Sequence, residues 1–268
     1  MASRGFLDVV ARFRKPRAVN TIPNTVILHQ FFPIGGIPSA SPPCLKLETF
    51  LRMSKIPYVN SYGVEFSKKG KIPWISYNDT DIADSNFCID FLSKEFKVDL
   101  DEGLTDKQRG ASLAIRRMCD ENTYWGLVHH RWNDEFEKTR KFFKISKIDF
   151  LDKFICKLIR NRIRAQLAGH GIGLHSGDEV YFLVNQDIKA LSGYLGNNKF
   201  FMGEKASLVD ASVFGIMASF LWVDTASPMN QMIKENCTNI EDFCNRMKDT
   251  FWPDWDSVAS KKKLKSKL

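Results

Sequence analysis

The chain changes character near Lys97, and that break limits the fold more than any other feature. Before it, "TVILHQFF" from Thr25 is a short β-branched and aromatic run that predicts a buried strand. From Pro42 to Lys55 the spacing of Leu45, Leu47, Phe50, Leu51 and Ile56 predicts a helix. "YVNSYGVEF" from Tyr58 predicts a second strand, and "IPWISYNDTDIADS" two more around an Asn-Asp-Thr-Asp turn. "SNFCIDFLSKEF" from Ser85 then reads as a helix. The order is β-α-β followed by β-β-α. After the acidic stretch "VDLDEGLTDK" no strand pattern recurs. Helical periodicity covers Thr105–Lys144 as one long helix or a kinked pair, then Lys147–Leu167, Asp178–Leu195, Ser207–Val223 and Met232–Phe251. The reading is an α/β domain over 25–98 and an all-α domain over 105–256, between a basic arm (1–24) and a basic tail (257–268).

Charge narrows the function. The net charge of +8 over 268 residues sits in the arm, with Arg4, Arg12, Arg14, Lys15 and Arg17 against Asp8, and in a tail with five lysines after Ser260. The body between them is close to neutral and lacks the basic face of a nucleic-acid-binding protein. The arms are solvated or touch acidic surfaces weakly. Cys44, Cys88, Cys119, Cys156, Cys237 and Cys244 form no CxxC pair and no metal-ligand spacing, so they read as buried, reduced thiols. His129 and His130 are adjacent on a helix, which excludes a metal pair. No run is long enough to span a membrane, "SVFGIMASFLWV" from Ser212 included, and Asp8 spoils the N-terminus as a signal peptide.

Several local patterns bear on chemistry or on the structure that would hold it. Pro73 in "KIPWI" opens a strand, where the missing amide donor is harmless. Asp84 and Ser85 stand where the fourth strand enters a helix. Ser85 either simply caps that helix or, with the first amides, receives a carboxylate while Asp84 pairs with an ammonium group. Together they suit the amino-acid end of a ligand such as the γ-glutamyl group of glutathione. Ser207 and Asp210 in "SLVD" form a capping-box pattern with a structural role. "IPSASPPCLKLE" sets Ser41 before two prolines and Cys44. Ser41 is a plain N-cap or a hydroxyl donor to a thiolate, and Cys44 is a core thiol or, alternatively, the reactive group. "GHGIG" at Gly169–Gly173 follows no strand and reads as a helix break, not a phosphate loop. Tyr124, Trp125 and Trp132 either line an apolar pocket or pack a helical core.

Over roughly residues 25–255 the chain resembles glutathione S-transferases, a thioredoxin-like domain followed by a helical one. "SPPCLKLETFLRMSKIPY", "GKIPWI", "DSNFCIDFL", "GHGIGLHSGDEVY" and "FWPDW" resemble the failed-axon-connections and cadmium-responsive branch, which is related to the metaxins. The resemblance implies a cis bond at Ile72-Pro73, with the Ile72 backbone receiving the cysteinyl part of glutathione. It implies that Gly35 to Ser41 frame the sulfur. Glutaredoxin-like relatives carry Cys-Pro-aromatic-Cys at this helix entrance; here Ser41 stands in the first position and Cys44 in the last. A serine forms no mixed disulfide, so the implied chemistry is activation of the substrate's own thiol.

Two functions follow. One is a glutathione-dependent enzyme that conjugates or reduces a small apolar electrophile between the domains, with glutathione as cosubstrate and no metal. The other is a non-catalytic interaction protein, since metaxin relatives include import-complex components. The resemblance allows a homodimer. The terminal Ser266-Lys267-Leu268 reads as an address for the peroxisomal import receptor, with the cytoplasm as the alternative location.

Overall fold

The computed structural model describes residues 23–224 and 226–260. The basic arm up to Ile22 and the tail from Lys261, including Ser266, Lys267 and Leu268, lie outside the described residues. The fold is a thioredoxin-like α/β unit joined to an all-α unit.

Strands β1 (Val26–Gln30), β2 (Tyr58–Tyr62), β3 (Trp74–Tyr77) and β4 (Thr80–Ala83) form one mixed sheet in the order β2-β1-β3-β4. β1 runs parallel to β2 and antiparallel to β3, and β3 is antiparallel to β4. The central strands are largely buried while both edges reach solvent. β2 is shorter than its sequence suggests. Its register with β1 runs out at the Gln30–Tyr62 pair, so the residues after it have no ladder to join. Helices α1 (Pro42–Met53) and α2 (Ser85–Glu95) cover one face, where Leu28, Leu47, Phe50, Ile75, Ile89 and Leu92 share a core.

The long pattern from Thr105 is one helical path with two wide turns as far as Asp134, then a break at Glu135 (φ −105°, ψ 36°) and a further short helix. α3 (Asp106–Met118) passes through a π-helical turn at Cys119–Thr123 into α4 (Tyr124–His129), then through a second at His130–Asp134 into α5 (Phe136–Phe143). Each π turn inserts a residue into the ladder and re-aims the side chains it carries. α6 (Asp149–His170) stops at Gly171, whose φ of 101° favours glycine, so "GHGIG" is a helix break. α7 (Gly177–Leu195) and α8 (Leu208–Trp222) follow. The last predicted helix is two, α9 (Pro228–Asn236) and α10 (Thr238–Phe251), separated at Cys237, and a short α11 (Trp255–Ala259) closes the described chain.

α8 is the spine of the helical unit, with every residue from Val209 to Leu221 buried. At its entrance the Asp210 carboxylate accepts from the Ser207 amide at 2.7 Å, the Ser207 hydroxyl at 2.8 Å and the Phe201 amide at 2.8 Å. Burial still pushes Asp210 up to about 6. A carboxyl whose folded pKa is raised adds stability below its unfolded value, near 4, and loses it as pH rises through about 6. Wild type is therefore expected to gain up to about 3 kcal/mol over Asp210→Asn between pH 7 and pH 4, read as diverging urea midpoints.

The two units meet along α1 and α8. A Cβ on Gly215 would stand 2.8 Å from the Pro42 carbonyl oxygen and 3.0 Å from Lys46 Cβ, so glycine permits this approach. The "FWPDW" segment straps the far end. Trp252 donates to Thr49 Oγ1 at 3.1 Å, and Arg52 lies 3.8 Å from the Trp252 ring centre. Arg52 also binds Asp254 at 2.6 and 3.1 Å, and Trp255 donates to the Gly36 carbonyl at 3.2 Å.

Candidate functional site

The sheet register gathers the sequence-derived residues. Trp74 pairs with Ala83, which sets Ile72-Pro73, just before β3, beside Asp84, just after β4. His29 also pairs with Trp74, so the loop that follows β1 and leads to Ser41 leaves from the same end of the sheet. Ile72-Pro73 is cis. Lys71 Nζ lies 4.0 Å from Asp84 Oδ2.

Asp84, not Ser85, is the N-cap of α2. Its Oδ1 accepts from the Asn86 amide at 3.1 Å, and Ser85 is the first helical residue. Asp84 adopts φ 82°, a left-handed conformation that an L residue takes at a cost and that clusters at ligand sites. Ser85 is 7% exposed, at the start of a helix whose first amides face the cap.

Beneath this turn lies a charged knot that sequence reading missed. Lys46, only 2% exposed, donates to Asp120 at 2.7 and 3.0 Å and to Asn86 Oδ1 at 2.8 Å. Asn86 Nδ2 donates to Asp120 Oδ2 at 3.0 Å. One ring thus ties α1, α2 and the first π turn together. The second π turn supplies Arg131, which donates to the Ala40 carbonyl at 2.7 Å and clasps Asp224 at 2.6 to 3.2 Å. The residue before Ser41 is therefore held from the helical unit. A lysine inside the apolar pattern of α1 was the only local hint, since its partner lies 74 residues away.

Ser41 is the half-buried N-cap residue of α1, without a side-chain cap bond, and Pro42 and Pro43 open the helix. The nearby donors of Ser41, Ser39 and the Phe31 backbone act to lower the Cys44 pKa. Burial outweighs these donors and pushes the fully enclosed Cys44 thiol up to about 12. A thiol held that high is protonated at neutral pH and walled from solvent, so Cys44 is a core residue. All six cysteines are buried and free.

Tyr124, Trp125 and Trp132 pack against the helical core, and none of them lines the pocket near this corner. That cavity, of about 210 Å³, is bordered by His130, Arg131, Phe142, Phe143 and Asp224. Burial lowers the His130 pKa, and its Nδ1 lies 3.0 Å from the Tyr181 hydroxyl. Phe142 closes on the loop after β1: its ring edge lies 2.5 Å from where a Gly35 Cβ would be.

Family models for the glutathione S-transferase N-terminal domain and C-terminal domain match residues 42–136 and 184–247. The fold agrees with that of a beta-etherase from Sphingobium sp. strain SYK-6, at a TM-score of 0.59 and 14% identity over 87% of this chain and 98% of that one. Fold and matches together define a chain of glutathione S-transferase type. Failed axon connections of Drosophila melanogaster is 33% identical over 91% of this chain, which spans 62% of that relative's length. An isoprene-epoxide–glutathione S-transferase of Rhodococcus sp. (strain AD45) is 29% identical over 72% of this chain and 85% of its own. Metaxin-2 of Mus musculus is 23% identical over 79% and 82%. The chain belongs to the metaxin-like branch of the glutathione S-transferase superfamily, with failed axon connections.

Proposed function

We propose that the chain binds reduced glutathione at this end of the sheet and, through Ser41, promotes its conjugation to a small apolar electrophile. The observation that carries the reading is the Asp84–Ser85 turn: a cap residue at φ 82°, in register with Ile72-Pro73. In this reading Ser85 and the first amides of α2 take the γ-glutamyl carboxylate, Asp84 takes its ammonium group, and the Ile72 backbone takes the cysteinyl part. The Ser41 hydroxyl, which makes no cap bond to α1, donates to the glutathione sulfur and favours the thiolate there, aided by the positive end of α1. The thiol proton passes to solvent, the thiolate forms a C–S bond to the electrophilic carbon, and the electron pair of the bond broken there goes to the displaced atom, which in an epoxide is the ring oxygen that stays attached and takes up a proton. A relative named for isoprene epoxide and glutathione supports an epoxide-sized acceptor.

The second reading is a non-catalytic interaction protein. What favours it is the contact of Phe142 with Gly35 and the hold of Arg131 on Ala40, which crowd the side where an acceptor would enter.

Calorimetric titration with reduced glutathione separates the two. The expected result is weak binding by wild type and none by Ser85→Ala. With an aromatic electrophile, Ser41→Ala is expected to lose about tenfold or more in turnover, the effect of one charge-assisted hydrogen bond of roughly 1.5–3 kcal/mol. Cys44→Ala should stay near wild type. Absence of binding at millimolar glutathione rejects the proposal and leaves the interaction protein.

A further inference from the structure

We propose that the outward face of α6 docks on an anionic lipid surface. α6 has 22 residues, yet only Asp152, Cys156 and Leu167 are buried. On its other side Phe150 is 80% exposed, Phe154 54%, Leu158 43% and Leu151 41%. At 100° per residue these four span about 100° of the helix and lie roughly opposite the buried positions. A helix needs one apolar stripe to pack on a core, and α6 has a second. Folding does not account for the outer one.

Its flanks identify the occupant. Lys153, Lys157 and Arg164 form one shoulder of the stripe, and Arg162 stands on the other, all exposed. The acidic groups of α6 offset only Lys153 among them, and lie off the stripe. Asp149 and Asp152 accept from Arg140 of α5 at 3.0 and 2.7 Å, and Asp149 also binds Lys153 at 3.0 Å. A second copy seated symmetrically on this face would bring the basic shoulders together, a like-charge contact. A layer of anionic headgroups over acyl chains matches both features. The rings enter the boundary, and the long basic stems reach back to the phosphates. Among the described residues no helix is long and apolar enough to cross a membrane, so α6 lies in the plane of the surface.

The test is flotation of the full chain with vesicles of phosphatidylcholine, alone or with about 30 mol% phosphatidylserine. The expected result is several-fold more bound protein on the anionic vesicles. Phe150→Ser combined with Phe154→Ser should reduce that by about fivefold or more, because the apolar contact is lost. Both rings are solvent-exposed, so circular dichroism and the melting curve should not change. The lysines after Ser260 remain in this variant. Equal flotation by wild type and variant would assign binding to the tail and overturn the proposal. Absence of flotation on either vesicle would also overturn it, as would a wild-type dimer in sedimentation that the double variant dissociates.

Discussion

Gly215→Ala is expected to destabilise the protein by about 3 kcal/mol and to lower its melting temperature by roughly 6–12 °C. Two effects compete. Alanine is a better helix former than glycine by about 1 kcal/mol. The new Cβ, however, lands 2.8 Å from the Pro42 carbonyl oxygen and 3.1 Å from the Lys46 amide nitrogen, and backbone atoms cannot step aside as a side-chain tip can. The clash wins. Gly110 in α3 is the matched control: it is helical, exposed, and has nothing within 4 Å of an added Cβ. Gly110→Ala should therefore raise stability by about 1 kcal/mol. Thermal melts of both variants test the argument, and a Gly215→Ala protein as stable as Gly110→Ala would refute the packing account. The site should respond as well. Pushing α8 off α1 displaces Ser41, so under the proposed function Gly215→Ala also weakens glutathione binding.

The second large effect is expected at Lys46. Lys46→Met keeps most of the side-chain volume but leaves Asp120 facing only Asn86, at a loss of roughly 2–4 kcal/mol. The lower part of that range applies because Asp120 is 20% exposed and water can reach it. Adding Asp120→Asn should recover part of the loss, since no charge then remains uncompensated. A double-mutant cycle in urea measures the coupling, and simple additivity would mean that the pair contributes nothing specific. The same variants report on function, because Asn86 is the residue whose amide Asp84 caps.

What the sequence made legible was local. The succession of strands and helices along the chain, the break after Lys97, the Ser207–Asp210 cap and the Asp84–Ser85 turn all follow from spacing within a few residues. The cap was misplaced by one residue, since Asp and Ser are both good N-caps and only the backbone at Asp84 decides between them. The ring of Lys46, Asn86 and Asp120 and the grip of Arg131 on Ala40 were hidden. Their partners are distant in sequence, and their aim depends on two π turns that no periodicity announces. Cys44 was ambiguous for a similar reason. Its place in the first turn of α1 suggests a lowered pKa, and only tertiary enclosure shows that burial prevails.

The strap at the end of the chain sets a timetable for synthesis. Trp252 closes on Thr49 across 203 residues and Trp255 on Gly36 across 219. At roughly 5–20 residues per second, a ribosome that has made α1 needs about 10–40 s more to deliver those tryptophans. For that interval Thr49 and Arg52 await their partners, and the α1 surface that faces Gly215 stays bare as well. The α/β unit is thus the first to form and the last to be completed, and a nascent-chain binder that shields α1 would have its greatest effect in that window.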